Sequence, residues 1–394
     1  MIAQIIAMIG SIYIAKLYGE EAFGYLSFFI GVSSILSVIY TLQLDKCLVI
    51  AKTINESKNW LNFLIVLILI IGIATLCLTY VFSNHYAYST IQKNILVLSS
   101  LASIALSFNI VHENFLTYTK NFSLLSNTKV FLTLCNLLLQ IVLYPHFNIL
   151  GLVYAFIITQ LVISIFYFVK NKSYLGSINF PKIKKELIIN SSIVKYLFPS
   201  NLINTIANYI VPILLLSFFS VEEAGVYFFS IKILGAPLHL ISSSVSQVYF
   251  QKSSELKNKK NSELLLLTIK VVKYNLLIMG AILLIINTIG IYFLELYFEE
   301  QWQNLRCFLL ILSFLILARS SFNPISSLII VLDKNKTGLL FNCYLLIVNL
   351  VSIYYGWVVN NIFYTISIVS LFGGIGYFIL LLYFLKSLKK ADVR

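Results

Sequence analysis

The chain has 394 residues, 59% of them hydrophobic and only 11% charged, with a formal net charge of +13 and a mean hydropathy of +0.92. So little charge excludes a water-soluble globular domain, whose surface needs far more. Uncharged runs of 26 residues (59–84 and 196–221) and of 49 residues (337–385) match or exceed the ~20 apolar residues that cross a bilayer.

In chain order, the apolar segments predict twelve membrane spans, at about 1–18, 23–44, 60–82, 94–111, 129–145, 149–169, 196–219, 226–250, 274–294, 306–332, 338–358 and 362–385. The break in the last long run falls near Asn360 and Asn361. The fold class expected is an all-α polytopic membrane protein. No basic stretch followed by a small-residue cleavage site precedes the first apolar segment, so the first helix is expected to be retained.

The basic residues sort by loop. Of 28 Lys and Arg residues, 23 fall in loops after even-numbered spans or in the C-terminal tail. Lys16, Lys93 and Arg306 fall on the other side, while Lys232 and Arg319 lie inside spans. This bias places both termini in the cytoplasm and explains the net charge without nucleic acid. The longest polar connector divides the chain into a six-helix half at 1–170, a basic cytoplasmic linker at 171–195 and a second six-helix half at 196–394. Within the linker, Pro181 can open a short helix with Ile183, Leu187 and Ile188 on one face and lysines on the other, which reads as an interfacial element.

The halves echo each other. At an offset of 201 residues, Glu21 falls on Glu222 and Gly24 on Gly225. Ser27, Gly31, Ser34, Thr41 and Asp45 share a helical face in the first half, matched by Phe228, Lys232, Gly235, Ser242 and Ser246 in the second. Six plus six spans of like orientation make a parallel repeat. The five cysteines are scattered singly, the four histidines form no ligand pair and no phosphate-binding loop is present. No metal, cofactor or ATPase function is therefore expected.

Three stretches carry a family resemblance: AKLYGEEAFGYLSFF (15–29), TLQLDKCLVIAK (41–52) and VEEAGVYFFSIKILGAPLHLISSSVSQVYFQ (221–251). They resemble Wzx-type O-antigen and capsule-unit flippases of the multidrug/oligosaccharidyl-lipid/polysaccharide exporter superfamily. That resemblance implies two six-helix lobes facing a V-shaped cavity in a bacterial inner membrane. It also implies passage of an undecaprenyl-diphosphate-linked oligosaccharide from the cytoplasmic to the periplasmic leaflet. A glycan polymerase and a chain-length regulator are the protein partners such a role would bring. The family usually has a short polar tail before the first helix; here Met1 already lies in apolar sequence. Lys16 is then only ~22 Å along the first helix.

An anionic headgroup needs a polar path with positive charge, and a cation at mid-bilayer is a functional candidate by default. Arg319 stands near the centre of its span, thirteen residues after Arg306 and fourteen before Asp333. Its planar fork suits a diphosphate. Lys232 is shallower, ~10 Å in from Gly225, and can also snorkel outward. It shares a face with Ala236, His239, Ser243 and Ser246. Pro237 and Pro324 predict broken helix beside each cation, as in transporter sites, although membrane helices also tolerate prolines as packing kinks. Asn201, Asn204 and Asn208 line one face of the seventh span and can bond sugar hydroxyls or a neighbouring helix. Lys16 completes the substrate-binding set. Asp45, at the inner end of span two, is an ion-coupling candidate or a partner of Lys46 facing cytoplasmic water.

The reading is a flippase rather than an enzyme. Two alternatives remain. A drug or cation antiporter of the same superfamily would hold a mid-membrane acid. A membrane glycan polymerase or ligase would need large outer loops. Peptidoglycan-precursor flippases resemble the same fold with fourteen spans against the twelve read here.

Overall fold

The structure, a computed structural model, describes residues 2–85, 90–256, 261–299, 301–332 and 334–392. Asp333, Glu300 and the basic residues Lys257, Lys259, Lys260 and Arg394, together with the side chains of His85, Ser243 and Lys390, lie outside the described residues. The elements are α1 (Ile2–Thr41), α2 (Asp45–Ile50), α3 (Ile54–His85), α4 (Thr90–Tyr118), α5 (Phe122–Phe147), α6 (Leu150–Lys170), α7 (Phe180–Ile189) and α8 (Phe198–Phe218). They continue with α9 (Val221–Leu256), α10 (Asn261–Ile285), α11 (Ile291–Phe298), α12 (Leu305–Phe322), α13 (Leu328–Val331), α14 (Asn335–Val359) and α15 (Ile362–Asp392). The described regular structure is entirely helical, as an all-α polytopic membrane protein requires.

Eleven helices among the described residues are long and apolar enough to cross a membrane. Twelve passes fit within them because α1 is two helices meeting at Gly19, whose φ of 75° and ψ of 178° are open essentially only to glycine. The arms, 2–18 and 20–41, are each long enough to cross alone. At the 201-residue offset, the start of the second arm at residue 20 falls on the first residue of α9, Val221. There the break needs no glycine. The Ser220 hydroxyl accepts from the Glu223 N–H at 3.2 Å, so the run SVEE caps α9.

The helices cluster into two compact units, 2–209 and 210–394, the division falling inside α8. In the first unit α4 is central, packing on α1, α3 and α6. Small residues let these helices approach closely: the Ser33 hydroxyl donates to the Ser99 carbonyl (3.2 Å) and Ser107 to that of Ser37 (3.4 Å). Tyr18 donates to the Gln140 carbonyl at 2.6 Å, and a Cβ on Gly151 would meet the Tyr18 oxygen at 2.5 Å and the Leu143 carbonyl oxygen at 3.2 Å. Only glycine fits that crossing.

The linker is fastened to this unit. Asn179 caps α7, accepting from the Lys182 N–H at 3.0 Å, with Pro181 in the first turn as the sequence predicts. Ile183 is buried in the cluster of Leu44, Cys47, Leu48, Trp60 and Leu61. This docking is why the linker and the start of α8 cluster with the N-terminal helices.

In the second unit α12 is central, packing on α9, α10 and α15. Phe229 packs at a tilt of 40° against Trp302 (centroids 4.5 Å apart), which also meets Phe298 (5.5 Å). The ninth span runs longer than the apolar segment 274–294 suggests, from Ser262 to Phe298, because a π-helical turn at Ile286–Gly290 joins α10 to α11 without a loop. The two prolines behave differently. α12 stops at Phe322 and Pro324 sits in a 3-10 turn, Asn323–Ile325, as its missing N–H dictates. α9 continues through Pro237 without a break.

Candidate functional site

The second unit brings the cationic candidates onto adjacent helices. Along α9, Lys232 and His239 are exposed and Ala236 and Ser246 half-buried, while Ile233, Leu234 and Leu238 are buried against neighbouring helices. The polar stripe is thus the accessible face of α9. An accessible face of a membrane helix meets either lipid or water. Turning a lysine and a histidine toward acyl chains costs several kcal/mol, so this face favours a wet path.

Arg319 is half-buried on α12, in the last turn before the Pro324 break. Its guanidinium carbon lies 5.9 Å from the centroid of the Tyr377 ring on α15, within cation–π reach. α12 packs against α9, which places Arg319 and the α9 residues Tyr227 and His239 on neighbouring helices. Tyr377 and Tyr227 escape sequence reading. Their alignment with Arg319 comes from the packing of α12 on α9 and α15, and no spacing within one helix signals it.

In the first unit the candidates are spread out. Lys16 is half-buried one turn before the Gly19 break, at the end of its arm rather than midway along it. Asn201 donates to the Gln43 side-chain oxygen at 2.9 Å, a bond from α8 to the turn between α1 and α2. Asn204 and Asn208 remain exposed, the Asn208 amide donating to the Asn204 carbonyl at 2.9 Å. Asp45 is only 1% exposed and 3.0 Å from the Lys46 ammonium, and its Oδ2 accepts from the Asn114 amide at 2.7 Å. The pairing with Lys46 therefore exists, with Asn114 as a second partner that the sequence did not reveal. Beside it, burial and the charges of Asp45 and Glu186 push the Cys47 thiol up to about 12, leaving it unreactive.

Helices of membrane-spanning length, broken at Gly19 and Pro324, define a polytopic membrane protein with a polar, cationic stripe on α9. A family described as polysaccharide biosynthesis protein matches residues 13–306, and the chain belongs to it. Solved structures agree on the fold. A lipid II flippase, MurJ, in an inward closed conformation has a TM-score of 0.75 at 14% identity, over 98% of this chain and 86% of that one. An inward-facing multidrug resistance MATE family transporter of the MOP superfamily gives 0.68 at 16% identity, over 98% and 96%. A MOP superfamily transporter from Pyrococcus furiosus gives 0.62 at 15%, over 98% and 95%. No curated protein matches the chain.

The α9 stripe makes a prediction. In a background lacking reactive cysteines, single cysteines at Lys232, His239 and Ser246 are expected to react with a polar, charged thiol reagent several-fold faster than cysteines at Ile233 and Leu238. Equal protection at all five positions would turn the stripe into packing or lipid contact.

Proposed function

We propose that the protein is a flippase carrying an undecaprenyl-diphosphate-linked oligosaccharide, an O-antigen or capsule repeat, from the cytoplasmic to the periplasmic leaflet by alternating access. The observation that carries this reading is the accessible cationic stripe of α9 beside Arg319 on α12. Membership in a polysaccharide biosynthesis family supports a glycan cargo. The charge supports an anionic one: α12 contains no acid, and α9 has none between Glu223 and Glu255. A drug or cation antiporter would need a carboxylate where these helices carry Lys232, His239 and Arg319.

In this reading Arg319 meets the diphosphate through two parallel N–H donors. Lys232 extends the positive path, His239 adds a hydrogen-bonding ring beside it, and Lys16 is kept as a further substrate-binding candidate. Asn204 and Asn208 offer amides to sugar hydroxyls. Asp45 is kept as a coupling candidate. The protein makes and breaks no bond. A polymerase acting on the exported units and a chain-length regulator are its proposed partners.

Deletion in the native host, with extraction of lipid-linked oligosaccharides, tests the function. Complete, unpolymerised units should accumulate on the cytoplasmic face. Accumulation of single units on the periplasmic face would assign a polymerase instead. Orientation is tested separately. Reporter fusions after Lys184, Lys259 and Lys390 are expected to report cytoplasm, and fusions near Glu222 and Glu299 the outside. An outside signal at Lys184 would break the division into two halves of like orientation.

A further inference from the structure

The linker helix α7 carries a second face that the fold does not use. Its inner side is fastened to the first unit. Ile183 is buried, and the Asn179 N–H donates to the Asn59 side-chain oxygen (2.8 Å) while the Asn59 amide returns a bond to the Asn179 carbonyl (3.2 Å). The Gly176 N–H donates to the Asn62 side-chain oxygen (3.2 Å), and Lys182 pairs with Glu56 (3.6 Å). Glu56, Asn59 and Asn62 occupy the first turns of α3, where its charged end gives way to the apolar run. α7 is therefore held at the depth where a membrane helix meets the headgroup region.

At ~100° per residue, Phe180, Lys184 and Ile188 form one outward stripe and Lys185 and Ile189 a second beside it. Phe180, Ile188 and Ile189 are 60%, 68% and 70% exposed, and both lysines are exposed. Large apolar side chains interleaved with lysines, at headgroup depth, match the chemistry of an anionic lipid surface. The rings and branched chains enter the acyl boundary while the ammonium groups meet phosphate. A solvated linker would have no use for three exposed large hydrophobes on ten residues, and an acidic protein surface would have no complement for them.

We propose that the outward face of α7 binds the anionic phospholipid of the inner leaflet, with Phe180, Ile188 and Ile189 inserted and Lys184 and Lys185 on the headgroups. The contact ties the inner rim of the first unit to the membrane surface and makes its seating sensitive to the anionic lipid fraction. It rests on the cytoplasmic placement of the linker given above but not on the identity of the cargo.

The test uses the full chain in lipid nanodiscs containing no lipid-linked saccharide, with nitroxide labels at Ile188→Cys or Ile189→Cys. Cys77, Cys135, Cys307 and Cys343 are replaced, and the buried Cys47 is kept. In discs of mixed phosphatidylglycerol and phosphatidylcholine, both labels should collide more often with oxygen than with a polar nickel chelate. A label at Lys172→Cys should show the reverse. In phosphatidylcholine alone, or with Lys184→Gln or Lys185→Gln, the inserted-to-withdrawn ratio read from the spectra should fall about fivefold per lysine lost. Preferential collision with the nickel chelate at residues 188 and 189 in every lipid mixture would overturn the proposal, since the face would then be solvated. Protection from both reagents would overturn it too, in favour of a protein partner or a second copy. Either failure leaves the deletion phenotype and the topology fusions unaffected, so it is distinguishable from failure of the flippase reading.

Discussion

Arg319→Glu is expected to abolish surface glycan while the protein still accumulates in the membrane. The guanidinium lies 5.9 Å from the centroid of the Tyr377 ring on a helix packed against α9, so Arg319→Glu exchanges a positive for a negative charge beside the α9 stripe. A diphosphate would then meet repulsion. Arg319→Ala removes the fork without adding repulsion and should lower transport about 10- to 100-fold, the value of a charge-assisted hydrogen-bond pair. Arg319→Lys should keep part of the activity, because the charge survives while the two-pronged geometry does not. Tyr377→Ala should fall between Lys and Ala, since the ring supports the guanidinium without touching the cargo. The measurements are surface glycan per unit of membrane protein for each variant. Normal transport by Arg319→Glu, or failure of Arg319→Ala to accumulate, would make the residue structural.

The ordering of this series matters more than any one member. A structural arginine packed on a tyrosine would lose most on Arg319→Ala through lost packing, and little more on Arg319→Glu. A residue that binds an anion shows the graded loss Lys, Ala, Glu at constant protein level. The neighbouring lysine adds a control. Lys232→Gln should weaken transport less than Arg319→Ala, because Lys232 sits nearer the start of α9 and offers a single point charge.

How much of this was legible in the sequence varies with the range of the interaction involved. Apolar runs and proline chemistry are local, so the spans, the Pro181 start of α7 and the Pro324 break were all readable. The echo of Glu21 and Gly24 in Glu222 and Gly225 placed the starts of matching helices because helix entry is also set locally. The break in the helix expected at Pro237 is absent, and α9 is continuous through it; neighbouring helices can absorb one lost backbone bond in a membrane interior. Contacts across helices could not be read. Tyr377 reaches Arg319 only through the packing of α12 on α15. Asn114 reaches Asp45 over a separation of 69 residues. The fastening of α7 to Asn59 and Asn62 spans more than a hundred residues, which is why the linker read as a surface element without a defined seat.

Asp45→Ala is expected to lower the stability of the folded protein, and Asp45→Asn to lower it much less. Asp45 is 1% exposed and accepts the Asn114 amide at 2.7 Å. Alanine leaves that half-buried donor without its acceptor, which costs about 1 kcal/mol. The Lys46 partner is 45% exposed, so its loss adds little after solvent screening. Asn114 keeps its second bond, to the Ile110 carbonyl at 3.1 Å, which caps the penalty. Asparagine preserves an oxygen for the Asn114 amide and surrenders only the charge. Thermal unfolding of the detergent-solubilised protein should therefore rank the wild type above Asp45→Asn and that above Asp45→Ala. Asp45 joins α2 to α4 in the first unit, so Asp45→Ala should also reduce surface glycan in proportion to its lower protein level. Transport per molecule separates the two roles of this carboxylate. If Asp45 only positions α2 against α4, Asp45→Asn should transport at close to the normal rate. A loss of transport by Asp45→Asn at normal stability would instead make the ionised carboxylate part of the coupling mechanism, and transport would then lose its dependence on the proton or sodium gradient.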